Sequence, residues 1–123
     1  MYTITKEFSF AASHKLDHLP AEHPCHRTHG HNYIVVIELQ ASKLNVDKMV
    51  LDYRKLKPIK EYIDDHLDHQ HLNDVMSIFP TAENIAKYIY DLFSMTYPQM
   101  ISVTVKETPK TAAKYTPEFE EEA

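Results

Sequence analysis

The run CHRTHGHNY, Cys25 to Tyr33, holds the chain's one cysteine, its one glycine and three of its nine histidines. His29 and His31 stand two apart. On a strand, side chains two apart share a face, so both imidazoles can reach one ion. Neutral imidazole is a common metal ligand and suits zinc. An HxH pair alone is a weak signal in a histidine-rich chain. Chance clustering fits it, and so does a structural site using Cys25, His29 and His31. Structural zinc sites mostly take paired Cys or His on short turns. A cupin also uses such a pair, but that fold needs many glycine turns. Gly30 gives the backbone freedom at no steric cost, which suggests a bulge or a close approach. A third ligand comes from YTITKEFSFAASH, residues 2–14, where His14 shares the parity of Tyr2, Ile4, Phe8, Phe10 and Ala12. If this segment pairs antiparallel with the strand after His29, its end meets that strand's beginning. His14 then joins His29 and His31, and three histidines with an open fourth position suit a catalytic zinc site.

A second constellation is DDHLDHQHLND, residues 64–74. It holds two adjacent Asp–His pairs, Asp65–His66 and Asp68–His69. A carboxylate beside an imidazole can orient it and raise its basicity, making a proton donor or shuttle. The same run also fits a solvated helix end. Glu107 shares the parity of Ile101, Val103 and Val105. A carboxylate on an inward face is unusual and suggests an acceptor for ligand N–H groups. A solvated strand end is the alternative.

Positioning these residues calls for strands and helices of one domain. The chain has 123 residues, 43% of them hydrophobic and 25% charged, enough for a single core. Residues 1–117 form that domain, and the tail EFEEEA, 118–123, is a solvated acidic segment. Net charge is −5 without a basic stripe, which argues against nucleic-acid binding. No apolar run reaches the length of a membrane span. The start MYTITKEFSF is not a secretory signal, and a lone cysteine fits a reducing cytoplasm. After the first strand, residues 15–30 read as a loop and 31–40 as a strongly β-branched strand. MVLDY reads as a short strand pairing back as a hairpin. Leu56, Ile59, Ile63 and Leu67 then follow helical spacing, starting near 56 because Pro58 is tolerated only in a first turn. A second helix follows Pro80, with Thr81 as N-cap, Glu83 in its first turn and Ile85, Ile89, Leu92 and Phe93 on one side. Residues 101–107 alternate as a strand, and 112–116 add an edge strand. The order predicts an α+β domain, an antiparallel sheet with helices on one face.

Read in order, FSFAASHKL, CHRTHGHNY, VLDYRKLK, LDHQHLND, PTAENIA and VKET resemble the 6-pyruvoyl-tetrahydropterin synthase and 6-carboxytetrahydropterin synthase family along the whole chain. The resemblance implies a tunnelling fold (T-fold), two helices inserted between strand pairs, and a homohexamer built as a dimer of trimers with active sites between subunits. It implies Zn2+ on His14, His29 and His31, with Cys25 as a base outside the coordination sphere. It selects Asp68–His69 over Asp65–His66, because only the former is followed by Leu-Asn. Glu107 would anchor the pterin ring of 7,8-dihydroneopterin triphosphate, with Thr81 and Glu83 nearby. Lys15, Arg27, Lys106 and Lys110 are candidates for its phosphates. The three residues between Cys25 and His29 resemble the carboxy branch, a cytoplasmic lyase of queuosine (7-deazaguanine) synthesis that also releases acetaldehyde. A pyruvoyl product, or a non-catalytic zinc- or pterin-binding relative, is the alternative. His71 departs from the family pattern and could compete with the Asp–His pair.

Overall fold

The first two strands, β1 (Tyr2–His14) and β2 (His29–Ala41), pair antiparallel without interruption, from Tyr2 opposite Ala41 to His14 opposite His29. The alternation of apolar residues decides which face turns inward. Phe8, Phe10, Ala12 and His14 are buried from β1, and Tyr33, Val35, Ile37 and Leu39 from β2. Lys6, which breaks the stripe, is exposed. β3 (Met100–Thr108) pairs with the other edge of β2, and β4 (Thr111–Tyr115) with β3. The sheet order is β1-β2-β3-β4, all neighbours antiparallel. This computed structural model describes residues 1–118; residues 119–123 of the acidic tail lie outside the described residues.

A single helical layer covers the inward face. A 3-10 turn at Tyr53–Leu56 leads into α1 (Lys57–Tyr62), which runs on through a π turn at Ile63–Leu67. Pro58 lies in the first turn of α1, where its missing N–H costs nothing. Leu56, Ile59, Ile63 and Leu67 are all at most 1% exposed, as the helical spacing predicts. α2 (Leu72–Val75) is a single turn, and α3 (Ala82–Phe93) follows Pro80. Thr81 Oγ1 accepts the Asn84 N–H at 3.2 Å, closing the N-cap of α3. Residues from both layers join one core.

Three expectations are corrected. MVLDY is not a strand: β3 already occupies the free edge of β2. Instead Asn45 Oδ1 accepts the N–H groups of Asp47 and Met49, Lys48 takes a left-handed φ of 66°, and Asp52 caps the next turn through Arg54 N–H. Leu92 does not join the core but stays 40% exposed, while Ile85 and Ile89 are buried. In β3 a register shift between Glu38 and Leu39 of β2 leaves Ile101 half-buried, with Met100 and Ser102 buried.

The outer edge of β1 is closed at one end. Ala11 N–H donates to Asp68 Oδ1 at 2.9 Å, and Ala11 C=O accepts His69 N–H at 2.6 Å. Ser13 N–H donates to Gln70 C=O at 3.0 Å. Lys15 N–H donates to Asn73 Oδ1, and Lys15 C=O accepts Asn73 Nδ2, both at 2.9 Å. Residues 68–73 thus take the place of a neighbouring strand for Ala11, Ser13 and Lys15. Replacement of Asn73 by Ala leaves both polar groups of Lys15 without this partner. The expected loss is ~1–3 kcal/mol, read as a lower urea midpoint with an unchanged slope.

Candidate active site

Because β1 ends where β2 begins, three imidazoles converge on the inward face. The ring nitrogens of His14, His29 and His31 lie within 4.8 Å of one another. Backbone carbonyls fix two of the tautomers. His14 Nδ1–H donates to Pro80 C=O at 2.7 Å, and His29 Nδ1–H donates to Arg27 C=O at 2.7 Å. A carbonyl only accepts, so each neutral ring presents an unprotonated Nε2. These two Nε2 atoms stand 2.9 Å apart, a spacing that calls for a shared proton or a cation. His31 Nε2 is buried and has no hydrogen-bond partner among the described residues. Burial lowers the pKa of His14, and the neighbouring His29 and His31 lower it further against the opposing pull of Pro80 C=O and Glu107. The neutral form required of a ligand is therefore favoured. The donor set fits a metal ion, and carbonyls already hold its rings as outer partners do in metal sites.

Glu107 lies one residue before the end of β3, its carboxylate 3.9 Å from His31 Nε2. Glu107, Thr81 and Glu83 line one cavity of about 200 Å³ between β3, β4 and the start of α3. Tyr33 follows His31 on the same face and is fully buried, its ring stacked on Phe10 and edge-on to His14 and His31. Its hydroxyl has no hydrogen-bond partner among the described residues. Burial, reinforced by Glu107, raises its pKa, so the phenol stays a donor. The parity of Tyr33 with His29 and His31 carried this signal in the sequence; the Pro80 carbonyl carried none, because any residue supplies one.

Cys25 is a free, half-buried thiol in a 3-10 turn, Pro24–His26. Its N–H donates to His23 Nδ1 at 3.0 Å, and its C=O accepts Leu16 N–H at 2.8 Å. It is not among the three grouped ligands. Gly30 shows neither a positive φ nor a bulge. A side chain there would meet Ala12 O at 3.5 Å, ordinary contact, so its own chain does not require a glycine. Lys15 lies 3.6 Å from Asp17.

Asp68 and His69 are placed elsewhere, on the outer edge of β1. Asp68 Oδ2 receives His69 Nδ1 at 2.8 Å while Oδ1 holds Ala11 N–H. His69 has a left-handed φ of 60°, a conformation costing ~1–3 kcal/mol in a non-glycine residue. Its side chain is 82% exposed. Among the described residues, no hydrogen bond or ion pair joins this pair to the three histidines. His66, of the rival Asp65–His66 pair, instead packs at a tilt against Tyr62 with ring centroids 4.6 Å apart.

Two outcomes follow. With His29→Ala, zinc stoichiometry measured by atomic absorption should fall from about one per chain to near zero; full occupancy would refute the three-histidine site. The Ala11 N–H bond, then His69, hold the Asp68 carboxyl below the usual carboxylate range. Its stabilising effect is therefore complete above pH ~4 and lost as pH falls through the depressed folded-state value. Asp68→Asn should flatten this acid limb in denaturation midpoints measured from pH 5 to 2.

The chain matches the family model described as 6-pyruvoyl tetrahydropterin synthase over residues 3–118. It is 38% identical over 122 residues to a Synechocystis sp. protein named 6-carboxy-5,6,7,8-tetrahydropterin synthase, covering 94% of this chain and 93% of that one. It is 32% identical over 126 residues to the 6-pyruvoyl tetrahydrobiopterin synthase of Dictyostelium discoideum, covering 91% and 93%. Among solved structures, Caenorhabditis elegans 6-pyruvoyl tetrahydropterin synthase superposes with a TM-score of 0.83 at 27% identity, over 95% of this chain and 96% of that one. By sequence along nearly its whole length and by fold, the chain belongs to the 6-pyruvoyl tetrahydropterin synthase family.

Proposed function

We propose that the chain is a zinc-dependent lyase converting 7,8-dihydroneopterin triphosphate and water to 6-carboxy-5,6,7,8-tetrahydropterin, acetaldehyde and triphosphate, serving queuosine synthesis in the cytoplasm. The observation that carries it is the convergence of three imidazoles beside Glu107, in a chain whose Synechocystis relative bears that activity in its name. His14, His29 and His31 would hold the zinc. Bound there, zinc supplies a Lewis acid that polarises side-chain oxygens of the substrate and acidifies the neighbouring C–H bonds. Glu107 accepts N–H groups of the pterin ring, with Thr81 and Glu83 on the walls of the same cavity. Cys25 takes a proton as thiolate, favoured beside a cation. His69, oriented by Asp68, exchanges a second proton, and triphosphate leaves by elimination.

A homohexamer, a dimer of trimers, accounts for the distance between the two halves of this machinery. Asp68–His69 faces outward from its own β1, so it would serve the site of a neighbouring copy. Glu107 also lines a wider open cavity of about 710 Å³ with His31, Tyr33 and Lys106, within the roughly 300–1,000 Å³ usual for ligand pockets. The outer edge of β1 over residues 2–10 and that of β4 carry no strand among the described residues, and open edges invite pairing. Residues 1–117 act as one domain in this reading.

The test is incubation of the zinc-loaded protein with 7,8-dihydroneopterin triphosphate, with products resolved by mass spectrometry. A 6-carboxy product with acetaldehyde is expected. A 6-pyruvoyl product would move the chain to the branch named for its Dictyostelium relative. No turnover with zinc bound would end both readings in favour of a binding protein. In the same assay Cys25→Ala should keep its zinc and lose roughly 10²–10⁴-fold in kcat.

A further inference from the structure

His69 is the most exposed of the residues assigned to proton transfer, and little packs around its ring. Its direction is therefore set by how the backbone is held on either side. On the near side Asp68 is tied to Ala11 by its side chain, and His69 N–H is tied to Ala11 C=O. On the far side two contacts go to a single residue. Gln70 C=O accepts Ser13 N–H at 3.0 Å, and the Ser13 hydroxyl shares a hydrogen bond of 2.8 Å with His71 Nδ1. Ser13 and His71 also form a parallel bridge outside the named strands.

The position of His71 makes this side-chain bond informative. His71 is the N-cap of α2, where a side chain ordinarily accepts an N–H of the first turn. No such bond is present. Its Nδ1 is spent on Ser13 instead. His71 serves α2 only through its carbonyl, which accepts the Asp74 N–H at 2.9 Å; its ring does not. What it does is close the loop 68–71 from its far end, with His69 held in its left-handed conformation between two ties. Ser13, His69 and His71 line one open cavity of about 640 Å³ together with His31, Asn32 and Gln70.

We propose that His71, through the Ser13 hydroxyl, is a positioning residue for the Asp68–His69 acid–base pair. It neither binds the metal nor takes the proton; it fixes where the His69 ring points. The inference rests on the lyase reading above and adds a residue pair to it.

The test is steady-state kinetics on zinc-loaded His71→Ala, Ser13→Ala, the double variant and His71→Asn. Loss of positioning lowers kcat by about ten- to a hundredfold. It leaves KM within about twofold, since an interaction felt mainly in the transition state is lost. The double variant falls no further than the worse single one. His71→Asn recovers most of the rate, because its amide can reach the place of Nδ1. Zinc stoichiometry stays unchanged in all four. Ser13→Ala removes one atom and serves should His71→Ala fail to fold. Wild-type kcat in both single variants, multiplying losses, a rise in KM alone, or no rescue by Asn would each overturn the proposal. A wild-type protein that turns nothing over would end the lyase reading itself, and this inference with it; an active wild type with unaffected variants removes the inference alone.

Discussion

Everything functional in this molecule depends on the antiparallel register between β1 and β2. The period of a strand is two, so a slip of one residue would send every side chain of one strand to the opposite face. In the observed register Phe8 and Phe10 pack inward with Tyr33, Val35 and Ile37. His14, His29 and His31 are the polar end of that same apolar stripe. The hydrophobic core thus chooses the face on which the imidazoles meet, at the mouth of the core and not in open solvent. Burial there has a cost for charge, and the structure meets it by keeping His14 neutral and by giving His14 and His29 a carbonyl each.

The second constraint is the edge of β1. An unpaired strand edge must find partners for its N–H and C=O groups. Here the segment after α1 supplies them with a mixture of backbone and side chain: a carboxylate for Ala11, a carbonyl for Ser13 and an amide for Lys15. The same segment carries the hydrogen-bonded Asp68–His69 pair and, at His69, a strained residue. Strain of that kind persists only where surroundings over-determine it, and the bonds on both sides of His69 do so.

Much of this was legible in the sequence because it rests on period. Alternation marked β1, β2 and β3, and the spacing of Leu56, Ile59, Ile63 and Leu67 marked the helical turn that buries all four. The likeness of parity between His14 and the apolar residues before it was enough to bring it towards His29. What failed were judgements that depend on the rest of the sheet. MVLDY has a strand's composition, yet β3 holds the edge of β2 with which a hairpin would have paired it. The burial of Leu92 and Ile101 depended on where α3 leaves the sheet and where β3 carries an extra residue against β2. In the site, the Pro80 carbonyl, the Ser13–His71 bond and the side of the sheet that Asp68–His69 occupies have no local signature. They are products of tertiary placement.

The five residues from Ala11 to Lys15 have two readers. Their inward side chains include a histidine of the three-imidazole group, while their outward backbone grips the loop of His69. A β-strand is stiff and of fixed rise per residue, so this short piece works as a ruler between the two chemistries. Their separation is set by the thickness of one strand and not by the reach of a loop. Where copies of the chain assemble, that ruler would set how far the three-histidine group of one copy stands from the loop its strand grips.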